Sequence, residues 1–296
     1  MPWVMFMNLE KTLVDESHPS TEPEKNSVTI NVLLSDQSIV EMDMEEYVLG
    51  VLFGEMPSTF EVEALKAQAV ATRTFARRNI VYGEKHEGFD ICTDASCCQC
   101  YADPESFKGN SAHYLKFSDA VNATTGYYLL YGNNLAETTY FSCSGGRTED
   151  AAAVWGTAVP YLVSVESPGE ENAIHYLTTK TYSTQEFCRL LGDKPEGFAE
   201  TWIKNITYTK GGGVDEIQIG NKIYTGTQIR QLLDLKSTAF RITAMGGSIT
   251  ISTRGFGHRV GMSQYGADAM AVSGSTFEEI LAYYYPGTEL NCYPDI

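Results

Sequence analysis

No apolar run in this 296-residue chain is long enough to cross a bilayer. A helical span needs about 18 apolar residues, and the apolar stretch Pro2–Met7 falls far short. No basic region precedes that stretch, so it is not a whole signal peptide. Positive charge is also scarce. Lysine and arginine number 21 against 38 aspartates and glutamates, for a net charge of −17. That balance excludes a general nucleic-acid binder, which needs a basic footprint. An acidic protein acting on an anionic polymer would need a local basic groove. Cysteines do not make an even set: there are seven, so within a monomer at least one is unpaired or metal-bound. With 43% hydrophobic residues the chain can build one large core or two smaller lobes.

What is present centres on Glu45–Ile80. Tyr47, Val48, Val51 and Leu52 recur at helical spacing, which predicts a helix over Asp43–Phe53, capped by Asp43 with Glu46 three residues on. Gly54 fits the left-handed residue that ends a helix. A second helix is expected from Ser58, with Glu61 completing a capping box, and it is rich in alanine. Glu55 then sits between the two helices, beside Met56-Pro57. The helix end's partial negative charge and partial burial both disfavour a carboxylate, pushing Glu55 toward a proton donor at neutral pH. A solvated loop glutamate is the other reading. On the second helix Lys66, Arg73 and Arg77 share one stripe. It reads either as a solvated face or as a wall for an anionic substrate beside Glu55.

Residues 9–27 read as a flexible polar linker. Val81–Pro104 has no periodicity, and a loop that long is usually functional or stapled. Within it His86, Cys92 and Cys98 stand six apart. Histidine and cysteine at such separations can converge on a tetrahedral zinc. A disulfide such as Cys92–Cys98, or free thiols, suits the same spacing.

Further on, Cys143-Ser144-Gly145-Gly146 forms a loop without the serine-flanking glycines of a nucleophile elbow. Ser142, Ser144 and the glycines read as backbone contacts lining a cleft, or as an ordinary turn. A β-rich lobe is expected over about residues 170–250. Gly255, Gly257 and Gly261 then frame His258 before a helix from Ser263 to Ala271. Glycines allow close approach of a ligand, so His258 reads as a cleft residue or as a structural histidine, with Gln264 and Tyr265 as further contact candidates. The fold class expected is α+β, with β-rich lobes packed around the alanine-rich helix and a substrate cleft between lobes.

The segment GEMPSTFEVEALKAQAVATRTFARR at 54–78 resembles the signature of the stage II sporulation protein D (SpoIID) family. CTDASCCQCY at 92–101, FSCSGGRTEDAAAVWG at 141–156, RGFGHRVGMSQYGADAMA at 254–271 and LAYYYPGTEL at 281–290 resemble its other blocks, in order. The similarity covers about residues 28–290. The cysteine-containing block fits the sporulation branch better than the related amidase enhancers.

The resemblance implies a peptidoglycan lytic transglycosylase that cuts MurNAc-β-1,4-GlcNAc bonds of peptide-stripped strands and leaves 1,6-anhydro-MurNAc ends. It implies action in septal and engulfment wall remodelling during sporulation, outside the cytoplasm. A sporulation amidase and a membrane scaffold protein would be its partners. Met1–Asn8 would be the remnant of a membrane anchor or an alternative start, followed by a linker to residue 27 and a catalytic domain over 28–296. Glu55 would be the sole acid and base, with Asp94 and Glu149 as other carboxyl groups to weigh, and the lactyl carboxylates of the strand would meet Lys66 and Arg73. Zinc would be held by His86, Cys92 and Cys98. Relatives usually carry histidine where this chain has Cys97, and Cys100 is extra; either could supply a fourth, closing thiolate. Thiolates largely cancel the charge of Zn²⁺, so its role would be structural. Relatives usually carry glycine at 259, where this chain has Arg259. Alternatives are a non-catalytic, glycan-binding amidase enhancer and a zinc hydrolase.

Overall fold

The structure is a computed structural model that describes residues 28–83 and 85–292. The anchor remnant and linker expected over residues 1–27 lie outside the described residues. Among the described residues no helix is long and apolar enough to cross a membrane.

The described chain opens with β1 (Thr29–Leu33) and β2 (Ile39–Asp43), then α1 (Met44–Glu55) and α2 (Val62–Tyr82). β3 (Ile91–Cys92) lies in the long loop, and α3 (Ser111–Asn122) follows it. Next come β4 (Tyr127–Tyr131), β5 (Asn134–Leu135), β6 (Tyr140–Phe141) and α4 (Ala151–Trp155). A β-rich stretch holds β7 (Leu177–Ser183), α5 (Thr184–Leu191), β8 (Ile203–Lys204), β9 (Glu216–Ile219), β10 (Lys222–Thr225), α6 (Gly226–Leu232), β11 (Phe240–Met245) and β12 (Ser248–Arg254). β13 (Met262–Ser263), α7 (Gln264–Val272), α8 (Phe277–Tyr284) and β14 (Glu289–Cys292) complete it. Helices and small, mostly antiparallel sheets thus coexist, the α+β class expected.

α2 is the axis of the first of two apolar cores. Ala64, Ala67, Ala69, Ala71 and Ala76 are fully buried. Their small side chains let α1, α3, α7, α8 and β4 all pack against one helix. Two threonines tie it to the surrounding chain. Thr138 Oγ1 donates to the Ala71 carbonyl at 2.7 Å, and the Leu129 N–H donates to Thr74 Oγ1 at 3.0 Å. The second core belongs to the β-rich stretch. There the sheet β11-β12-β7 and the sheet β10-β9-β8 enclose Phe187, Trp202, Ile217, Ile229, Phe240 and Ile251.

Around Glu55 the local expectations need three corrections. Asp43 does cap α1, accepting from the Glu45 and Glu46 N–H groups, but the helix runs on through Gly54 to Glu55. Gly54 is helical, not left-handed. A Cβ there would lie 2.9 Å from the Cys100 carbonyl and the Tyr101 nitrogen, so the glycine lets the cysteine loop press against the helix. Secondly, α2 begins at Val62, not at Ser58. Its N-cap Glu61 makes no side-chain cap bond; the Glu61 N–H instead donates to Asp268 Oδ1 of α7 at 2.7 Å. A distant carboxylate supplies what a local capping box was expected to supply. Lastly, the basic stripe is not a free face. Arg73 is fully buried. Its Nε donates to Glu45 Oε1 at 2.8 Å, and its terminal nitrogens reach Glu45 Oε2 and the Tyr127 carbonyl.

Candidate functional site

A cavity of about 250 Å³ opens at the C-terminal end of α1, and Glu55 lines it. Six parts of the chain meet there: α1, α2, the loop residues 95–99, β6 with its flanks, the loop residues 256–258 and the start of α7. Phe75, Phe141 and Phe256 supply apolar wall, and Ser142, Gln99, Tyr140, His258 and Gln264 supply polar groups. Of the residues singled out in the sequence, Glu55, Ser142, His258 and Gln264 come together here.

Glu55 is half-buried and accepts two hydrogen bonds. The Cys100 N–H donates to Oε1 at 2.9 Å and Gln264 Nε2 donates to Oε2 at 3.2 Å. Burial raises its pKa, and these two donors pull the other way without cancelling the rise. Glu55 is the only carboxyl group lining this cavity among the described residues. Neither of the other carboxyl groups weighed stands beside it. Asp94 is spent on the backbone and hydroxyl of Ser96, which lower its pKa. Glu149 is buried, accepting from Thr209 Oγ1, from the Gly213 N–H and from the Arg259 guanidinium.

His258 stands between the Phe141 and Trp155 rings, 5.6 and 5.3 Å away between centroids. Its Nδ1 accepts from the Val260 N–H at 3.1 Å. Burial, helped by Arg230, pushes its pKa down to about 4. At neutral pH it is an uncharged polar wall rather than a cation.

Four of the expected contacts lie elsewhere. Ser144 is fully buried, and its N–H and hydroxyl both donate to Glu170, at 2.7 and 2.9 Å. Tyr265 packs edge-on against Phe60, centroids 4.9 Å apart, outside the cavity lining. Lys66 pairs with Glu63 at 2.7 Å and lies over the Phe277 ring. Arg73 is locked to Glu45, as described above. None of the stripe's three cations, Lys66, Arg73 and Arg77, lines the Glu55 cavity.

The sequence reading missed Gln99 and Tyr140. Gln99 is almost fully buried. It accepts from the Tyr47 hydroxyl at 2.9 Å and donates to Tyr140 Oη at 3.0 Å. This relay supports the cavity from beneath. Its members come from α1, the cysteine loop and β6, so no local motif announces it.

Close by, four side chains form a donor cluster. His86, Cys92, Cys97 and Cys98 bring their ligand atoms within 4.8 Å of one another. Cys100 is not part of the cluster, and its backbone is turned to Glu55 instead. β3 pairs with β1 and fixes Cys92 there. His86 Nε2 lies 3.1 Å from Cys98 Sγ and 3.8 Å from Cys97 Sγ, and the Cys97 and Cys98 sulfurs are 3.9 Å apart. The edge of a tetrahedron around zinc, from Zn–S bonds of about 2.3 Å, is about 3.7 Å. The donors therefore fit a four-coordinate metal by type and by spacing. The Lys85 ammonium contacts the Cys97 carbonyl and Cys98 Sγ and would balance thiolate charge. Cys98 also lines the Glu55 cavity.

The model of the SpoIID family, stage II sporulation protein, matches residues 35–131. The chain is 41% identical to stage II sporulation protein D of Bacillus subtilis over 95% of its own length and 85% of that protein's. To the Bacillus amyloliquefaciens protein of the same name it is 39% identical, over 87% of this chain and 76% of the relative. An amidase enhancer of Bacillus subtilis is 28% identical over 82% of this chain and 40% of the relative. A carboxyl group at the α1 end, a cysteine loop pressed against it and a glycine-framed histidine thus lie on a chain whose similarity to sporulation proteins runs almost end to end: the chain belongs to the stage II sporulation protein D family.

Proposed function

We propose that this protein is a peptidoglycan lytic transglycosylase that cleaves MurNAc-β-1,4-GlcNAc bonds of peptide-stripped strands during sporulation. The reading rests on one observation above all. Among the described residues a single carboxyl group, with a raised pKa and two fixed donors, lines the cavity. Hydrolytic glycosidases use two carboxyl groups across the scissile bond. One suffices when the sugar supplies its own nucleophile.

In the first step Glu55 donates its proton to the glycosidic oxygen, the C1–O bond breaks, and the GlcNAc hydroxyl leaves. Positive charge develops at C1 of the muramyl ring. In the second step the Glu55 carboxylate takes the proton of the 6-hydroxyl while O6 bonds to C1. Glu55 ends protonated, and the product carries a 1,6-anhydro ring without any water consumed. The Cys100 N–H and Gln264 hold the carboxyl group in place through both steps. Phe75, Phe141 and Phe256 offer apolar faces to the sugar rings, and neutral His258 adds no positive charge beside the developing cation.

His86, Cys92, Cys97 and Cys98 would hold a zinc ion whose part is to pin the loop. Three thiolates leave it little Lewis acidity. Cys98, Gln99 and Cys100 are consecutive, so one short segment would carry a metal ligand, the relay under the cavity and the donor to Glu55. The protein would act outside the cytoplasm, with a sporulation amidase that strips stem peptides and a membrane scaffold protein as partners.

The similarity to an amidase enhancer favours a second reading, a glycan-binding protein without catalysis. Purified protein on peptide-free strands, with products read by mass, separates the two. Anhydro ends that vanish in Glu55→Gln support the first, and binding without cleavage by the wild type supports the second.

A further inference from the structure

A second cavity, of about 540 Å³, lies behind the wall of the first. The segments around Ser142–Arg147 and Arg254–Arg259 form that wall, paired through a bridge between Cys143 and Phe256. Ser142, Phe256, Gly257 and His258 face the Glu55 cavity, and Gly145, Gly146, Arg254 and Arg259 face the second one.

Its charge stands against that of the whole molecule. The chain has nine arginines and a net charge of −17. Four of the nine, Arg147, Arg241, Arg254 and Arg259, line this one cavity, and among the described residues no aspartate or glutamate does. Two of them are already neutralised. Arg147 pairs with Glu166 at 2.8 Å, and Arg259 with Glu149 at 3.2 Å. Among the described residues Arg241 and Arg254 pair with no carboxylate. They project from the neighbouring strands β11 and β12. The cavity therefore carries two uncompensated positive charges.

Arg259 holds this wall together from within. It has φ +66, a left-handed conformation that disfavours any residue but glycine. It is held there by donating to the carbonyls of Ser144, Arg147 and Gly211 at 2.7–2.8 Å. With its charge paired to Glu149 and four of its N–H groups engaged, it shapes the wall and adds no free charge. Arg241 and Arg254 are left to bind. Tyr208, half-exposed beneath the Arg241 guanidinium, and Tyr176 add aromatic surface beside them.

We propose that this arginine-lined cavity is a carboxylate subsite that takes the lactyl carboxylate of a muramyl residue on the strand whose scissile bond lies at Glu55. The assignment rests on the glycan reading proposed above. On a strand without peptides the lactyl carboxylate is the one ionised group of the repeat. A stem peptide converts that carboxylate to an amide. Guanidinium forks recognise a carboxylate by charge-assisted, bidentate bonds that an amide cannot match. The cavity would thus select strands on which an amidase has already acted, a role that the sequence led us to expect of Lys66 and Arg73.

The test measures binding of the wild type and of Arg241→Ala/Arg254→Ala to three probes: peptide-free strands, the same strands with their carboxyl groups amidated, and peptide-bearing strands. The wild type should bind bare strands about tenfold more tightly than amidated ones, the scale of a hydrogen-bonded charge. The double variant should bind both alike, at the wild type's level for amidated strands. Equal binding of bare and amidated strands by the wild type would overturn the proposal, and that arm needs no variant to fold. Unchanged affinity of a folded double variant for bare strands, or wild-type preference for peptide-bearing strands, would overturn it too. Cleavage is scored separately. Discrimination without cleavage keeps the subsite and rejects the transglycosylase, whereas anhydro ends without discrimination reject the subsite alone.

Discussion

The backbone N–H of Cys100 donates to Glu55 Oε1 at 2.9 Å. Two residues earlier, Cys98 belongs to the donor cluster with His86, Cys92 and Cys97. The position of the carboxyl group is therefore tied to the order of the cysteine loop. Loss of the proposed metal should act at a distance from the chemistry. Cys92→Ser should lower metal content and melting temperature together. Metal content by elemental analysis and a thermal melt check this. Full metal occupancy in the variant would remove Cys92 from the ligand set.

The raised pKa of Glu55 has a stability consequence of fixed sign. A carboxyl group whose folded pKa lies above its unfolded value binds its proton more tightly in the folded state. Its stabilising contribution is fully present below the unfolded pKa and is lost as pH rises through the folded one. Glu55→Gln should accordingly raise the melting temperature at neutral pH, with the difference fading as pH falls toward about 4. The activity of the wild type should decline as pH rises through the same folded pKa, because the first step needs the acid form.

His258 has the opposite sign. Its pKa is pushed down to about 4 from an ordinary value of about 6.5. The folded state holds the neutral ring, so its contribution is present above about pH 6.5 and is lost progressively toward pH 4. His258→Asn should flatten that part of the stability-pH curve, measured by urea unfolding at several pH values.

Arg73 should behave as a structural residue. Arg73→Ala leaves Glu45 without its partner and opens a hole beside α1. The expected cost is about 2–4 kcal/mol in chemical denaturation. Affinity of the folded variant for glycan should stay within about twofold of the wild type. A tenfold loss of affinity at unchanged stability would return Arg73 to the substrate site.

Local signals in the sequence were readable where they decided the outcome locally. Asp43 caps α1, and Ser263 caps the helix expected there, accepting from the Gly266 N–H. Each rests on a cap that needs no distant partner. Signals failed where a remote residue intervened. Ser58 looked like a cap, but Asp268, far along the chain, takes the Glu61 N–H. Arg73 looked like a surface cation because its partner Glu45 lies on another helix. Gln99 carries no signal at all, since its role exists only once Tyr47 and Tyr140 have been brought to either side of it. Glu55 stood out in the sequence because it lies at a helix end beside an apolar pair. Its solitude in the cavity became visible only when Asp94 and Glu149 were seen engaged elsewhere.

The most direct measurement is the mass of the products released from peptide-free glycan strands by the wild type and by Glu55→Gln. The wild type should give 1,6-anhydro ends, lighter by about 18 Da than hydrolysed ends because O6 and not water attacks C1. Glu55→Gln should fold, bind the strands and release almost nothing, as the loss of a general acid-base costs roughly a hundred- to ten-thousandfold. Reducing ends from the wild type, or undiminished cleavage by Glu55→Gln, would contradict a mechanism with Glu55 as sole acid and base.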